Sequence, residues 1–201
     1  MAVVVVGGHS RNIGKTSVVA GIISALPERR WTALKITQDG HGLWSADGDE
    51  AADGSIYEHS LAVTEEDELA SGTDSSRYLA AGAVRALWMR TRAGDLAEAM
   101  PRIQHEIRRA ENFIIESNSI LAYLKPDLYL SVLDPSVADF KDSARRYLDR
   151  ASAILTPEGA STDEGLSEAL RGLITDAPIL PMRPPIYVTD EIVSFLRDQL
   201  G

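Results

Sequence analysis

The chain has 201 residues, 30 acidic against 20 basic side chains for a formal net charge of −10, and no cysteine. Its length suits one domain with its own core. The acidic balance argues against a general nucleic-acid binder, whose phosphate contacts need a basic surface, and the missing thiols exclude disulfides, thiolate metal sites and a cysteine nucleophile. His9, His41, His59 and His105 show no metal-ligand spacing, so no transition-metal site is expected. With no basic leader, cleavage site or bilayer-length apolar segment, a cytoplasmic protein without a membrane partner is expected.

Residues 2 to 6 are a continuous Ala-Val run ended by Gly7 and Gly8, the pattern of a parallel strand covered on both faces. Val18, Val19, Ile22, Ile23 and Leu26 recur at helical spacing before Pro27, predicting a helix over about 15–26. Trp31 to Ile36 reads as a second strand, joined to the first by the crossover helix as a βαβ unit and a parallel pair. Residues 37–73, rich in Gly, Asp, Glu and Ser, exceed an ordinary connection; they read as a functional or poorly ordered loop with a short hairpin or helix around 55–63. Next come a helix over Ser75–Ala83, a strand over Arg85–Arg90, and an amphipathic helix over Leu96–Ala110 with Pro101 in its first turns. Strands are predicted at Asn112–Glu116 and Asp127–Leu133, a helix over 138–150 and a short strand at Ala153–Leu155. Pro181–Pro185 reads as a turn before a last strand at Ile186–Val188 and a closing helix over 189–200. Strands alternating with helices predict an α/β fold: a doubly wound, mostly parallel sheet with helices on both faces, in a single domain over residues 1–201.

The strongest motif is Gly8-His9-Ser10-Arg11-Asn12-Ile13-Gly14-Lys15-Thr16-Ser17, between the first strand and its helix. There a glycine-containing turn exposes backbone N–H groups and the helix N-terminus adds partial positive charge. Lys15 is placed to reach the β and γ phosphates of a nucleoside triphosphate, and Thr16 to ligate Mg²⁺; the plainer alternative is a tight strand-to-helix turn. Five residues separate Gly8 from Gly14 where the ordinary consensus has four. In open α/β sheets ligands lie beyond the carboxyl ends of the strands, so Lys15, Lys35 and Glu116 are expected to converge. Glu116 suits holding Mg²⁺ through water or orienting an attacking water, unless it is a solvated strand-end acid. Arg11 suits clamping a carboxylate or phosphate, or is a surface arginine. Thr37, Gln38, Asp39 and His41 form a polar loop patch, and Asp47, Asp49, Glu50 and the Glu65 to Glu68 run read as a solvated acidic face. No Asn-Lys-x-Asp segment appears, so adenine and guanine both stay open, with Asp134 a base or ribose acceptor or a turn residue beside Pro135.

The five-residue loop spacing resembles dethiobiotin synthetases, and the rest of the chain looks like the B protein family of molybdopterin-guanine-dinucleotide biosynthesis, of the same P-loop class. The second resemblance rests on Leu34-Lys35-Ile36-Thr37, on Asp74-Ser75 followed by Ala81-Gly82-Ala83, and on Phe113-Ile114-Ile115-Glu116, over roughly residues 3–120. Departures are Ser117 where that family usually has Gly, and Ile36 where it usually has His. The resemblance implies the P-loop NTPase fold, Asp74 in the Mg²⁺ shell (the alternative being a helix N-cap), Lys35 offsetting charge on a transferred phosphoryl, Ser10 and Arg11 near a second substrate, and a homodimer. The expected function is Mg²⁺-dependent ATP or GTP binding with slow hydrolysis, assisting a pterin-cofactor assembly step with a partner biosynthetic enzyme. The alternatives are an ATP-dependent ligase or kinase acting on a small acid, and a nucleotide-gated interaction module without fast turnover.

Overall fold

The computed structural model describes residues 1–39, 61–160 and 177–201. A valine run without polar side chains belongs where both faces of a sheet are covered, and every residue of β1 (Val3–Gly8) is buried. The other strands are β2 (Trp31–Asp39), β3 (Leu61–Glu65), β4 (Arg85–Arg92), β5 (Asn112–Glu116), β6 (Leu128–Val132), β7 (Ala153–Pro157) and β8 (Ile179–Met182). They form one eight-stranded sheet in the order β3-β4-β2-β5-β1-β6-β7-β8, parallel except for β3, which pairs antiparallel with β4.

Strand alternation divides the core between two layers. Val4 and Val6 face α1 (Lys15–Ala25), α2 (Asp74–Ala80) and α5 (Asp190–Leu200), packing with Val18, Ile22, Tyr78, Ile192 and Leu196. Val3 and Val5 face α3 (Leu96–Arg109), packing with Leu96, Ala99, Ile103 and Ile107 and with Tyr147 of the short α4 (Asp142–Tyr147). Helices therefore cover both faces, and no helix among the described residues is long and apolar enough to cross a membrane.

Four elements depart from the sequence expectation. β1 and β2 are parallel but not neighbours: β5 lies between them, because a crossover helix fixes strand direction and not adjacency, and the buried Phe113-Ile114-Ile115 run is covered by a strand on each side. Residues 138–141 are not helical; they pass along the loop after β1, and the helix begins at Asp142 and tightens to a 3₁₀ turn at Leu148–Arg150. The last strand is β8, not Ile186–Val188, whose only ladder contact among the described residues is an isolated Arg183–Ile186 bridge. Pro181 sits inside β8 because that strand is the sheet edge, where a missing N–H is tolerated. Of the hairpin or helix expected around 55–63, residues 61–63 belong to β3 and the rest lies outside the described residues.

Ile22 is fully buried between α1 and the sheet. Ile22→Ala is expected to destabilise the fold by about 2–5 kcal/mol through lost transfer energy and a residual cavity, read as a lower urea midpoint with an unchanged slope.

Candidate functional site

Two glycines shape the loop between β1 and α1. Gly14 is left-handed at φ +95° and forms the N-cap of α1, where a side chain would be strained and would also overlap the Tyr187 ring. A Cβ on Gly7 would overlap Asn118 Oδ1, the atom that accepts from Gly8 N at 2.8 Å while Asn118 Nδ2 donates to Gly8 O at 2.8 Å. The Asn118 amide thus pairs with the Gly8 backbone like a second strand and fixes where the loop starts. His9 is buried; Nε2 donates to Val137 O at 3.1 Å and Nδ1 accepts from Asp134 N at 3.4 Å, a neutral-ring arrangement matched by a pKa that burial holds below the usual value. Ser10 Oγ donates to Asp139 at 2.9 Å, and Lys141 N donates to His9 O at 2.8 Å. Arg11 and Asn12 are exposed, Asn12 at φ +56°, whereas Ile13 turns inward beneath the loop.

The sheet register brings the distant residues together. Glu116 pairs with Val6 on one side and with Lys35 on the other, so the Glu116 and Lys35 side chains share the face that carries α1 and α2. Thr16, in the first turn of α1, donates to Glu116 Oε2 at 2.9 Å. Tyr78 of α2 donates its hydroxyl to the same oxygen. Lys35 Nζ lies 3.7 Å from the other oxygen, Oε1, and pairs with Asp74. Arg77 Nη2 donates to Ser17 Oγ at 2.9 Å, with Nη1 3.8 Å from Asp74. Lys15 Nζ donates to Ser10 O at 2.5 Å.

Burial pushes the Lys15 ammonium down to about 8, with Lys141 and Lys35 pushing the same way and Glu116 and Asp74 opposing. Lys141 is likewise lowered, first by burial and then by Arg11. A chain of net charge −10 therefore collects Arg11, Lys15, Lys35, Arg77 and Lys141 around one loop. These cations share the site with the carboxylates of Glu116, Asp74 and Asp139, and together they give a polyanion charged partners whatever the overall charge. The Thr16 hydroxyl and the Glu116 and Asp74 carboxylates are hard oxygen donors of the kind Mg²⁺ takes alongside phosphate oxygens.

The expected site residues thus fall into two groups. Gly8, Gly14, Lys15, Thr16, Ser17, Asp74 and Glu116 gather at the carboxyl ends of β1 and β5, beside Lys35 in the middle of β2, while Arg11 and Asn12 stay on the solvent side of the loop. Thr37, Gln38 and Asp39, expected in a loop, instead continue β2 because they pair with Arg90, Thr91 and Arg92 of β4. Asp74 is not an N-cap: Thr73 is, its side chain accepting from Ser76 N at 3.0 Å. Asp134 is the turn residue, accepting from Ser136 N at 3.0 Å and Ser136 Oγ at 2.6 Å. Glu65 and Glu66 are more than solvated acids. Glu65 grips Arg85 at 2.7 and 2.8 Å, and Glu66 collects the Thr73, Ser71 and Ser75 hydroxyls just before and within α2. His41, Asp47, Asp49 and Glu50 lie outside the described residues. Sequence reasoning missed Tyr78, Arg77, Asn118, Asp139 and Lys141. Only Arg77 and Tyr78 carried a usable signal, three and four residues beyond Asp74 on the same side of a helix.

No family model matches the chain, and no curated protein sequence matches it. Solved structures do. HypB from Helicobacter pylori, in complex with nickel, superposes with a TM-score of 0.52 at 13% identity over 98% of this chain and 84% of its own. LpxK from Aquifex aeolicus, an "apo" form in complex with ATP, superposes with a TM-score of 0.50 at 16% identity over 89% of this chain. The chain spans about half of LpxK, 53% of its length. The architecture that the strand order, the β1–loop–α1 junction and these likenesses describe is the α/β fold of the P-loop NTPases.

Proposed function

We propose that the chain binds a nucleoside triphosphate, ATP or GTP, with Mg²⁺ at residues 8–17 and hydrolyses it slowly, as an accessory protein to a cofactor-assembly step. The observation that carries this reading is the joining of Thr16, Lys35, Asp74 and Glu116, up to 100 residues apart, into one polar cluster beside Lys15. The likeness to LpxK, solved with ATP, supports a nucleotide as ligand. The nickel of HypB belongs to that protein and is not carried over to this chain.

Backbone N–H groups of the loop and the Lys15 ammonium hold the β and γ phosphates, and Lys15 exchanges its Ser10 carbonyl partner for them. Thr16, with Asp74 or Glu116, holds the Mg²⁺, which when bound neutralises phosphate charge and polarises the phosphoryl oxygens. Lys35, at the edge of the cluster, offsets charge that develops on the transferred group. Glu116 orients the water acceptor, whose proton leaves towards solvent or phosphate as the new P–O bond forms and the bond to the leaving diphosphate breaks.

A second reading is favoured by one observation. Burial, and after it the charge of Arg11, hold the Lys141 pKa down, so two cations besides Lys15 and Lys35 serve the loop. An ATP-dependent ligase or kinase would use them to hold an acidic acceptor.

Calorimetric titration of ATP and GTP with Mg²⁺ tests the first reading. Lys15→Ala is expected to lose about 2–5 kcal/mol of binding; no binding of either nucleotide by folded wild-type protein would refute it. Binding also carries a pH signature. Phosphate raises the pKa of a lysine that titrates near 8 in the free protein, so protons are taken up on binding above that pH. Affinity is therefore flat below about pH 8 and falls by up to about tenfold per unit above it, a bend that Lys15→Ala removes. For the second reading, small mono- and dicarboxylic acids are added to an ADP-release assay. Acceleration that Arg11→Ala abolishes supports the acceptor site, and release indifferent to every acid leaves water as the acceptor.

A further inference from the structure

A carboxylate oxygen offers two lone pairs, and those of Glu116 Oε2 meet two donors: Thr16 Oγ1 at 2.9 Å and the Tyr78 hydroxyl. Among the described residues, Oε1 has no such contact closer than Lys35 Nζ at 3.7 Å. Glu116 is only 5% exposed and Tyr78 wholly buried, so water competes little with this arrangement. A phenol hydroxyl facing a carboxylate oxygen is the donor of the pair. Tyr78 belongs to α2, one helical step from Arg77 and one turn from Asp74, both of which touch the same site.

We propose that Tyr78 is a positioning residue that locks the rotation of the Glu116 carboxylate, saturating Oε2 together with Thr16 so that Oε1 is the only oxygen of Glu116 left to serve the metal and its water. This rests on the reading of Thr16 and Glu116 as an Mg²⁺ site. Glu116 then acts through a water molecule rather than by direct ligation. The Thr16 hydroxyl, which also meets the Tyr78 hydroxyl, donates to Oε2. Without the tyrosine hydroxyl the carboxylate turns about its last bond, Oε1 and Oε2 exchange roles, and the metal site loses its fixed acceptor. Nucleotide binding in the absence of metal involves the loop backbone and Lys15, neither of which touches Tyr78, and is unaffected.

Tyr78→Phe, which keeps the ring in the core, tests this by two titrations read by calorimetry and by the shift in melting temperature. The first is nucleotide into protein with EDTA. The second is Mg²⁺ into nucleotide-saturated protein. The expected result is an unchanged first titration and an Mg²⁺ requirement raised about five- to tenfold, the loss of one charge-assisted hydrogen bond. In a Glu116→Gln background the same substitution is expected to change the Mg²⁺ requirement less than twofold, because on this proposal Tyr78 reaches the cation through Glu116. A Tyr78→Phe requirement within twofold of wild type, or an equal effect in both backgrounds, overturns the proposal while leaving the nucleotide reading intact. Absence of wild-type binding in both titrations overturns the two together. Should Tyr78→Phe fail to fold, wild-type protein carrying 3-fluorotyrosine gives the same decision. A ¹⁹F signal assigned to Tyr78 that moves on adding Mg²⁺, and stays still in Glu116→Gln, supports the coupling; a signal indifferent to Mg²⁺ in wild type overturns it.

Discussion

A carboxylate buried at the end of a central strand must be compensated, since an ion removed from water without partners is among the costliest things a fold can contain. Glu116 imposes that constraint here. It lies between β1 and β2 at the row where Val6 and Lys35 flank it, and everything that satisfies it comes from elsewhere: a hydroxyl from the first turn of α1, another from α2, an ammonium from β2. The start of α1, the placement of α2 and the register of three strands are therefore tied to one charge. Replacing that charge by an apolar residue would relax all of them at once, which is why the site and the packing around it cannot be varied independently.

Periodicity made the frame legible. The valine run of β1, the helical spacing of Val18 to Leu26 and the apolar stretch of β5 each predict an element that the fold contains, because burial on a strand or helix face leaves a local pattern. What periodicity cannot carry is adjacency. Nothing near Phe113 says that its strand inserts between β1 and β2, and nothing near Asn118 says that its amide closes on Gly8, 110 residues earlier. The residues 138–141 misled for a related reason: their sequence tolerates a helix, but backbone and side-chain groups there are claimed by His9 and Ser10. Pro181 misled because a proline reads as a breaker unless the strand is known to be an edge.

The site was legible to the extent that it was local. Gly8 to Ser17 announce themselves as a unit, whereas Tyr78, Arg77, Asp139 and Lys141 acquire meaning only when the sheet brings distant segments to the same end. Overall charge was a poor guide to that end of the molecule. Ten excess negative charges describe the whole chain, but the field at Lys15 is a local one, made by Glu116 and Asp74 on one side and Lys141 and Lys35 on the other.

Helix α2 meets the site at three places along one side: Asp74 on Lys35, Arg77 on Ser17 and Tyr78 on Glu116. At seven residues it is a short, stiff lever, capped by Thr73 and moored from behind by the hydroxyls gathered on Glu66. The three attachments share one short helix, so a displacement of that helix would shift all three side chains. Whatever presses on the outward side of this lever would thus be felt at Lys35, Ser17 and Glu116 together.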